Sequence, residues 1–193
     1  DAVPNQLHGL LFSRATSQVF YSESANAVRA AAEYSDFFDG FWTGKADVRI
    51  DQSIENGSFH YEILAKNTGT TPIPVGFGSH PYFKIPSGDP ANVKLVIPSS
   101  KAAQIDNLDD VLPTGRWTPF TKSDEPLNFS RAASGSIHGK FLDHYFVLES
   151  GQPKVVEMID TKKRVKFRMT GLSENIRGVQ VYYPQKGDII AIE

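Results

Sequence analysis

Apolar and polar residues alternate with a period of two along much of the chain, as expected for half-buried β-strands. In the segment "ADVRIDQSI", Ala46, Val48 and Ile50 alternate with polar and charged residues. The segment "SFHYEILAK" follows, and Asn56 and Gly57 lie between the two. Because Asn and Gly tolerate the positive φ that a two-residue turn requires, the two segments are predicted to form a β-hairpin.

Further strand-length segments lie elsewhere in the chain. "RVKFRMT" alternates, and its predicted partner is "KVVEMID", joined through residues 160–163. Four other segments are suited to strands, namely "NVKLVI", "HYFVLE", "GVQVYY" and "DIIAIE". The alanine-rich "ANAVRAAAEY" favours a helix by propensity, so a strand and a short surface helix both stay open there. Together these segments predict an all-β fold with antiparallel sheets.

Residues 87–137 are predicted to be long and irregular, because "SGDP", "LPTG" and "SDEP" are turn signals. Connections of this kind often carry function or border a site. Neither an internal repeat nor a linker divides the chain, so a single domain over residues 1–193 is the simplest interpretation. The chain begins without Met and ends within the apolar run "DIIAIE", and we therefore expect a piece of a longer polypeptide.

The composition is that of an ordinary globular protein and narrows the choice of partners. The 193 residues are 40% hydrophobic and 22% charged, with a formal net charge of −2. Without a long basic run, nucleic acid and anionic membranes are poor candidates as partners. The absence of cysteine removes disulfides, thiolate metal sites and cysteine nucleophiles. The sequence leaves the compartment undetermined, with the cytoplasm slightly favoured.

One histidine lies in an unusual setting, the stretch "PVGFGSHPYFKIP". Gly76 and Gly78 are predicted to let the backbone bend sharply or approach another group closely. Pro81 holds His80 in an extended or turn geometry, because the residue before proline avoids the α region. An imidazole is therefore held rigidly at a strand end, and a structural and a catalytic role for it are equally open.

Three of the other histidines are less informative. His60 has the polar phase of its strand and is predicted to be solvent-exposed, and His138 lies in a predicted surface loop. His8 precedes a glycine at a predicted strand entry and, taken alone, is interpreted as structural.

Two carboxylates occupy the ends of apolar segments. Asp143 lies in "FLDHYFVL", and Glu193 follows "DIIAI". Carboxylates in such places are often edge or cap residues. If Glu193 and His80 meet in one pocket, however, they form an acid/base pair. A metal site formed by His80, His144 and Asp143 is also left open, although no tight ligand spacing supports it.

Five motifs together resemble those of the aldose 1-epimerase family, the galactose mutarotases and their relatives. They are "LHG", "NTGTTPIPVGFGSHPYF", "LPTG", "FLDHYFVL" and "VYYPQKGDIIAIE", and they occur in the family's order. The resemblance implies a large antiparallel β-sandwich, the supersandwich, with a sugar cleft on one broad face. It further implies conversion between the α and β anomers of a free aldohexose, without cofactor or metal. Relative to the family fold, N-terminal and C-terminal strands are expected to be lacking.

The resemblance also assigns roles to individual residues. It makes His80 the general acid on the ring oxygen and Glu193 the general base on the anomeric hydroxyl. His8 is expected to position or polarise the sugar near the ring oxygen, and Asp143 to bind sugar hydroxyls. Family members usually carry an arginine upstream of the "LHG" motif, and only residues 1–7 precede His8 here.

Two alternatives accompany this hypothesis. The first is a carbohydrate-binding domain or sugar sensor without catalytic activity on the same sandwich. The second is a mutarotase for a hexose 6-phosphate, which would need a basic cluster near the cleft. Lys162, Lys163 and Arg164 form a compact basic cluster, which a hairpin turn explains at least as well.

Overall fold

The computed structural model describes residues 9, 11, 14–24, 27–35, 44–106, 111–133, 135–170 and 172–193. Regular structure in these residues is almost entirely β-strand in antiparallel sheets, with a 3-10 turn at Pro90–Asn92, which confirms the predicted all-β class. Within these ranges, no helix has the length and apolar character needed to cross a bilayer. The backbone divides into two compact units, Asp1–Phe77 and Gly78–Glu193. The single-domain interpretation stays a prediction.

The first unit contains an antiparallel sheet whose four strands follow one another in sequence order. The strands are β1 (Gln18–Ser24), β2 (Ala27–Tyr34), β3 (Ala46–Glu55) and β4 (Ser58–Asn67). A small core forms around the buried side chains of Ala46 and Val48.

Two predictions concern this sheet. The predicted hairpin is confirmed, since β3 and β4 are joined by Asn56 at φ 49° and Gly57 at φ 74°. The alanine-rich segment is strand β2, which pairs with β1 on one side and β3 on the other. Cross-strand pairing on both sides therefore overrides the helical propensity of the alanines.

The second unit contains a three-stranded and a six-stranded antiparallel sheet. In chain order its strands are β5 (Tyr82–Lys84), β6 (Val93–Val96), β7 (Lys101–Ile105), β8 (Pro113–Pro119), β9 (Leu142–Val147), β10 (Val156–Asp160), β11 (Val165–Met169), β12 (Gly178–Tyr183) and β13 (Ile189–Ile192). The three-stranded sheet has the order β11-β10-β6, and the six-stranded sheet has the order β5-β13-β12-β9-β7-β8. The predicted pairing of "KVVEMID" with "RVKFRMT" is the β10–β11 hairpin.

Both sheets of the second unit contribute to one hydrophobic core. In β12, Val179, Val181 and Tyr183 are buried in it, and β9 and β13 contribute alternate residues in the same way. Alternation then places the intervening residues on the opposite face of the six-stranded sheet. We call this the outer face; its residues include Tyr82, Asp143, Tyr145, Gln180, Tyr182 and Glu193.

The prediction of a long irregular region over residues 87–137 is wrong where β6, β7 and β8 lie, although β6 falls in the segment "NVKLVI" that was predicted to suit a strand. The signal "SGDP" precedes β6 and "SDEP" follows β8, whereas the last three residues of "LPTG" belong to β8. Strand β8 shows no alternation of buried and exposed residues, because it is an edge strand with all seven residues exposed. In the described residues between β8 and β9, no helix or named strand interrupts the predicted loop.

Candidate active site

Strand pairing between β5 and β13 determines where His80 lies. Tyr82 is paired with Ala191, and the N–H of Ile192 donates to the C=O of Pro81 at 3.4 Å. Continuing this register by one more residue places His80 opposite Glu193, beyond the ends of both strands. Residues that are 113 positions apart in sequence thus become lateral neighbours through the sheet.

The side chains of His80 and Glu193 are in direct contact. His80 Nε2 lies 3.2 Å from Glu193 Oε1, and the two side chains are 30% and 20% exposed. The Tyr82 ring stacks on the imidazole with a centroid distance of 5.0 Å and an interplanar angle of 25°. The two residues that the sequence named as a candidate acid/base pair are therefore held together at a partly solvent-accessible position.

The surroundings of Glu193 raise the pKa of its carboxyl. Burial raises the pKa of its carboxyl above the ordinary value; the charge of His80 opposes this shift, and the charge of Asp143 adds to it. A carboxyl with a raised pKa is a stronger base than an exposed glutamate, and it exchanges its proton closer to neutral pH. The arrangement suits a group that must both accept and return a proton.

Gln180 connects Asp143 to the pair. Its side-chain Nε2 donates a hydrogen bond to Asp143 Oδ1. Its backbone exchanges two hydrogen bonds with Glu193, of 3.1 Å and 2.8 Å. Gln180 was not among the residues predicted for the site, although the alternation in "GVQVYY" could have found it, because buried valines flank it on both sides.

Tyr145 adds an aromatic surface beside Gln180, its cross-strand partner in β12. The phenol ring lies over Gly178, where a Cβ would overlap the ring and approach Phe146 O to 2.6 Å. A glycine at position 178 is thus required by packing, because any Cβ there would collide with the Tyr145 ring.

His144 lies on the other face of the sheet from Asp143, since it shares the phase of the buried residues Leu142 and Phe146. Its Nδ1 accepts the backbone N–H of Asp143 at 3.1 Å. Burial lowers the pKa of the imidazole, and the charge of Asp143 opposes this shift. The metal site considered for His80, Asp143 and His144 does not form: within the described ranges, no three His, Cys, Asp or Glu side chains are grouped as ligands.

Other sequence predictions have mixed outcomes. His60 and His138 are exposed, as predicted. A Cβ added at Gly76 or Gly78 would meet no described atom within 4 Å, and neither glycine has a positive φ. The close approach of another group to these glycines stays a prediction. His8 lies outside the described residues, and its role stays a prediction.

The basic cluster proposed for a sugar phosphate lies on the turn between β10 and β11. These strands belong to the three-stranded sheet, whereas the candidate acid/base pair lies on the six-stranded sheet. The cluster is thus explained by its hairpin turn, with Arg164 in the left-handed region at φ 58°.

Comparisons with solved structures show similarity of fold. A galactose mutarotase-like protein from Clostridium acetobutylicum aligns with 90% of this chain and 53% of its own, at a TM-score of 0.72 and 13% identity. A protein from Synechocystis sp. PCC 6803 aligns with 91% of this chain and 53% of its own, at a TM-score of 0.67 and 18% identity. The chain spans about half the length of these proteins. The predicted galactose mutarotase-like fold is thereby confirmed.

Two comparisons of the sequence gave different results. A search of the curated proteins finds no significant match. The profile of the family described as aldose 1-epimerase, in contrast, matches residues 1–189. Because this match covers nearly the whole chain, the chain belongs to the aldose 1-epimerase family.

Proposed function

We propose that the chain is an aldose 1-epimerase, which interconverts the α and β anomers of a free aldohexose by opening and closing the sugar ring. The observation that carries this proposal is the 3.2 Å contact between His80 Nε2 and Glu193 Oε1 at a partly exposed position. Membership of the aldose 1-epimerase family supports the same chemistry. No cofactor is required, since the reaction only moves protons and rearranges one C–O bond.

The proposed mechanism uses the pair as base and acid. Glu193 accepts the proton of the C1 hydroxyl while the bond between C1 and the ring oxygen breaks and C1 becomes an aldehyde. Protonated His80 delivers its proton to the released ring oxygen. After rotation about the C1–C2 bond, the same proton transfers run in reverse on the other face of the aldehyde. Both reacting oxygens are bonded to C1 in the ring form, so adjacent acid and base groups can reach them together.

Asp143 and Gln180 are proposed to hold the sugar. The Asp143 carboxylate is an acceptor for hydroxyl groups, and its bond to the Gln180 amide orients it on the outer face. The raised pKa of Glu193 supports the role of base, because proton transfer is most efficient when the catalytic pKa is near the working pH. His8 is proposed to polarise the sugar near the ring oxygen.

Polarimetry on freshly dissolved α-D-glucose and α-D-galactose tests the proposal. The chain should accelerate the approach to anomeric equilibrium above the spontaneous rate. Replacing His80→Asn or Glu193→Gln should lower the catalysed rate by about 10²–10⁴-fold, the usual contribution of general acid–base catalysis. His138→Asn is the matched control, since His138 is an exposed loop histidine, and this variant should keep the full rate.

The same experiments separate the alternatives. A chain that binds these sugars in calorimetry but leaves the spontaneous rate unchanged would be a sugar-binding domain, and the catalytic proposal would fail. Acceleration confined to glucose 6-phosphate would instead identify a sugar phosphate as the substrate. If His80→Asn were as active as His138→Asn, the assigned acid would be wrong.

A further inference from the structure

A row of residues on the outer face begins just beyond the ends of β5 and β13 and continues across β12, β9, β7 and β8. His80 lies opposite Glu193, which exchanges backbone hydrogen bonds with Gln180, and Gln180 is paired with Tyr145. Phe146 is paired with Ala102, so Tyr145 lies opposite Ala103, and Ala103 is paired with Trp117 on β8. The row therefore reads His80, Glu193, Gln180, Tyr145, Ala103, Trp117 across the sheet.

The far end of this row has the chemistry of a sugar-binding surface. Trp117 is 46% exposed, and the ammonium of Lys101 lies 5.2 Å from the centre of its indole ring. Ala103, the small residue between Trp117 and Tyr145 in the row, is 8% exposed. The Tyr145 ring leans over Gly178, on the side away from Trp117. Exposed aromatic rings beside hydrogen-bond donors can both stack on sugar rings and bind their hydroxyls.

The row is too long for a monosaccharide. Four strand spacings separate Glu193 from Trp117, and at about 4.8 Å per spacing this corresponds to about 19 Å. One hexose at the His80 and Glu193 pair would not reach the indole. A chain of several hexoses would do so, provided that it is extended, because the row runs straight across the strands.

We propose that the outer face binds an extended β-1,4-linked oligosaccharide, with its reducing-end sugar at the His80 and Glu193 pair and a remote sugar on Trp117. The assignment of the reducing end rests on the proposed function, since only that unit has a free hemiacetal. The Lys101 ammonium donates to hydroxyl groups of the remote sugar. The chemistry at C1 is unchanged, and the added contacts strengthen binding.

Calorimetric titration of the chain with glucose, cellotetraose and maltotetraose tests this proposal. Cellotetraose, which is β-1,4-linked and extended, should bind about tenfold more tightly than glucose, as expected when one further aromatic contact is added. Maltotetraose, whose α-1,4 linkages curve the chain, should show at most a small gain. Trp117→Ala should remove the gain for cellotetraose and leave the affinity for glucose unchanged.

A neighbouring residue in β8 provides the control for Trp117→Ala. Arg116→Ala changes an exposed neighbour of Trp117 with the opposite strand phase, and it should keep the preference for cellotetraose. Equal affinities of the unaltered chain for cellotetraose and glucose would overturn the proposal, and so would unchanged cellotetraose binding by Trp117→Ala. Because the first comparison needs no variant, it decides the matter even if Trp117→Ala fails to fold.

Failure of this inference is distinguishable from failure of the proposed function. Polarimetric acceleration with glucose, combined with equal binding of glucose and cellotetraose, would overturn only the oligosaccharide site. A Trp117-dependent preference for cellotetraose without acceleration would support the binding row and contradict the catalytic role of the pair.

Discussion

Replacing Gly178→Ala tests whether the Tyr145 ring lies over position 178. Gly178 begins β12 and does not have a positive φ, so alanine can adopt its backbone conformation. The added methyl group would nevertheless overlap the Tyr145 ring and approach Phe146 O to 2.6 Å. The ring can rotate away, but the backbone oxygen belongs to the neighbouring strand and can move only with that strand. We therefore expect the variant to be destabilised.

The size of the effect follows from two opposing contributions. Overpacking typically costs about 1–3 kcal/mol. Loss of a glycine restricts the unfolded chain and returns about 0.4–1 kcal/mol. The free energy of unfolding should fall by up to about 2.6 kcal/mol, which lowers the melting temperature by up to about 10 °C at the 2–4 °C per kcal/mol typical of this chain length.

Urea denaturation followed by circular dichroism measures this change, with Gly76→Ala as the matched control. Gly76 also lacks a positive φ, and a Cβ there would meet no described atom within 4 Å. The control should therefore be unchanged or up to about 1 kcal/mol more stable. If Gly178→Ala were as stable as Gly76→Ala, the Tyr145 ring could not lie over position 178, and the position of Tyr145 in the proposed binding row would be wrong.

Three further changes should affect stability in distinct ways, each measured by denaturant unfolding. Glu193→Gln should increase stability at neutral pH. Burial raises the pKa of Glu193 in the folded state, so the protonated carboxyl contributes stability below the unfolded pKa, and this contribution is lost as pH rises through the folded pKa. Glutamine stays neutral and avoids that loss. The gain should disappear below about pH 4.3, and a gain independent of pH would contradict this reasoning. Glu157→Gln should have the opposite sign and cost about 1.5–3 kcal/mol, since Glu157 is fully buried and accepts charge-assisted bonds of 3.0 Å and 2.9 Å from Arg168. Burial alone would raise the pKa of Glu157, but hydrogen bonds from Arg168 and Lys166 lower it, so this stabilisation is present above the unfolded pKa and is lost as pH falls through the folded pKa. Phe146→Ala should lower the free energy of unfolding by about 3–5 kcal/mol, because the fully buried ring packs edge-on against Phe129 at a centroid distance of 5.6 Å. A loss below about 1 kcal/mol would contradict the burial of Phe146 in the core.

Local patterns were sufficient to predict much of the fold. The Asn56 and Gly57 turn determines its hairpin through backbone conformation alone, and β12 coincides with the predicted segment because buried valines alternate with polar residues. Propensity failed for β2, where pairing with two neighbouring strands outweighs the preference of alanine for helix. Edge strand β8 was not predicted, because its residues are all exposed and show no alternation of buried and exposed positions.

The candidate site was only partly predictable, because its members meet through strand register. His80 and Glu193 could be named from motifs, but their 3.2 Å contact depends on the pairing of β5 with β13. Gln180 had a usable signal in its strand, whereas Trp117 had none, because its place in the row depends on three successive strand pairings.

This dependence on register makes the shortest strand important for the proposed chemistry. Strand β5 has three residues, and the hydrogen bond from Ile192 to Pro81 extends its pairing toward His80. A slip of one residue between β5 and β13 would turn His80 to the opposite face from Glu193, because side chains alternate along each strand. The buried residues Ile85 and Ile190 oppose such a slip, since it would expose apolar side chains that now lie in the core. The hydrophobic core of the second unit therefore does more than stabilise the fold: it sets the strand alignment that brings the proposed acid, His80, and the proposed base, Glu193, together.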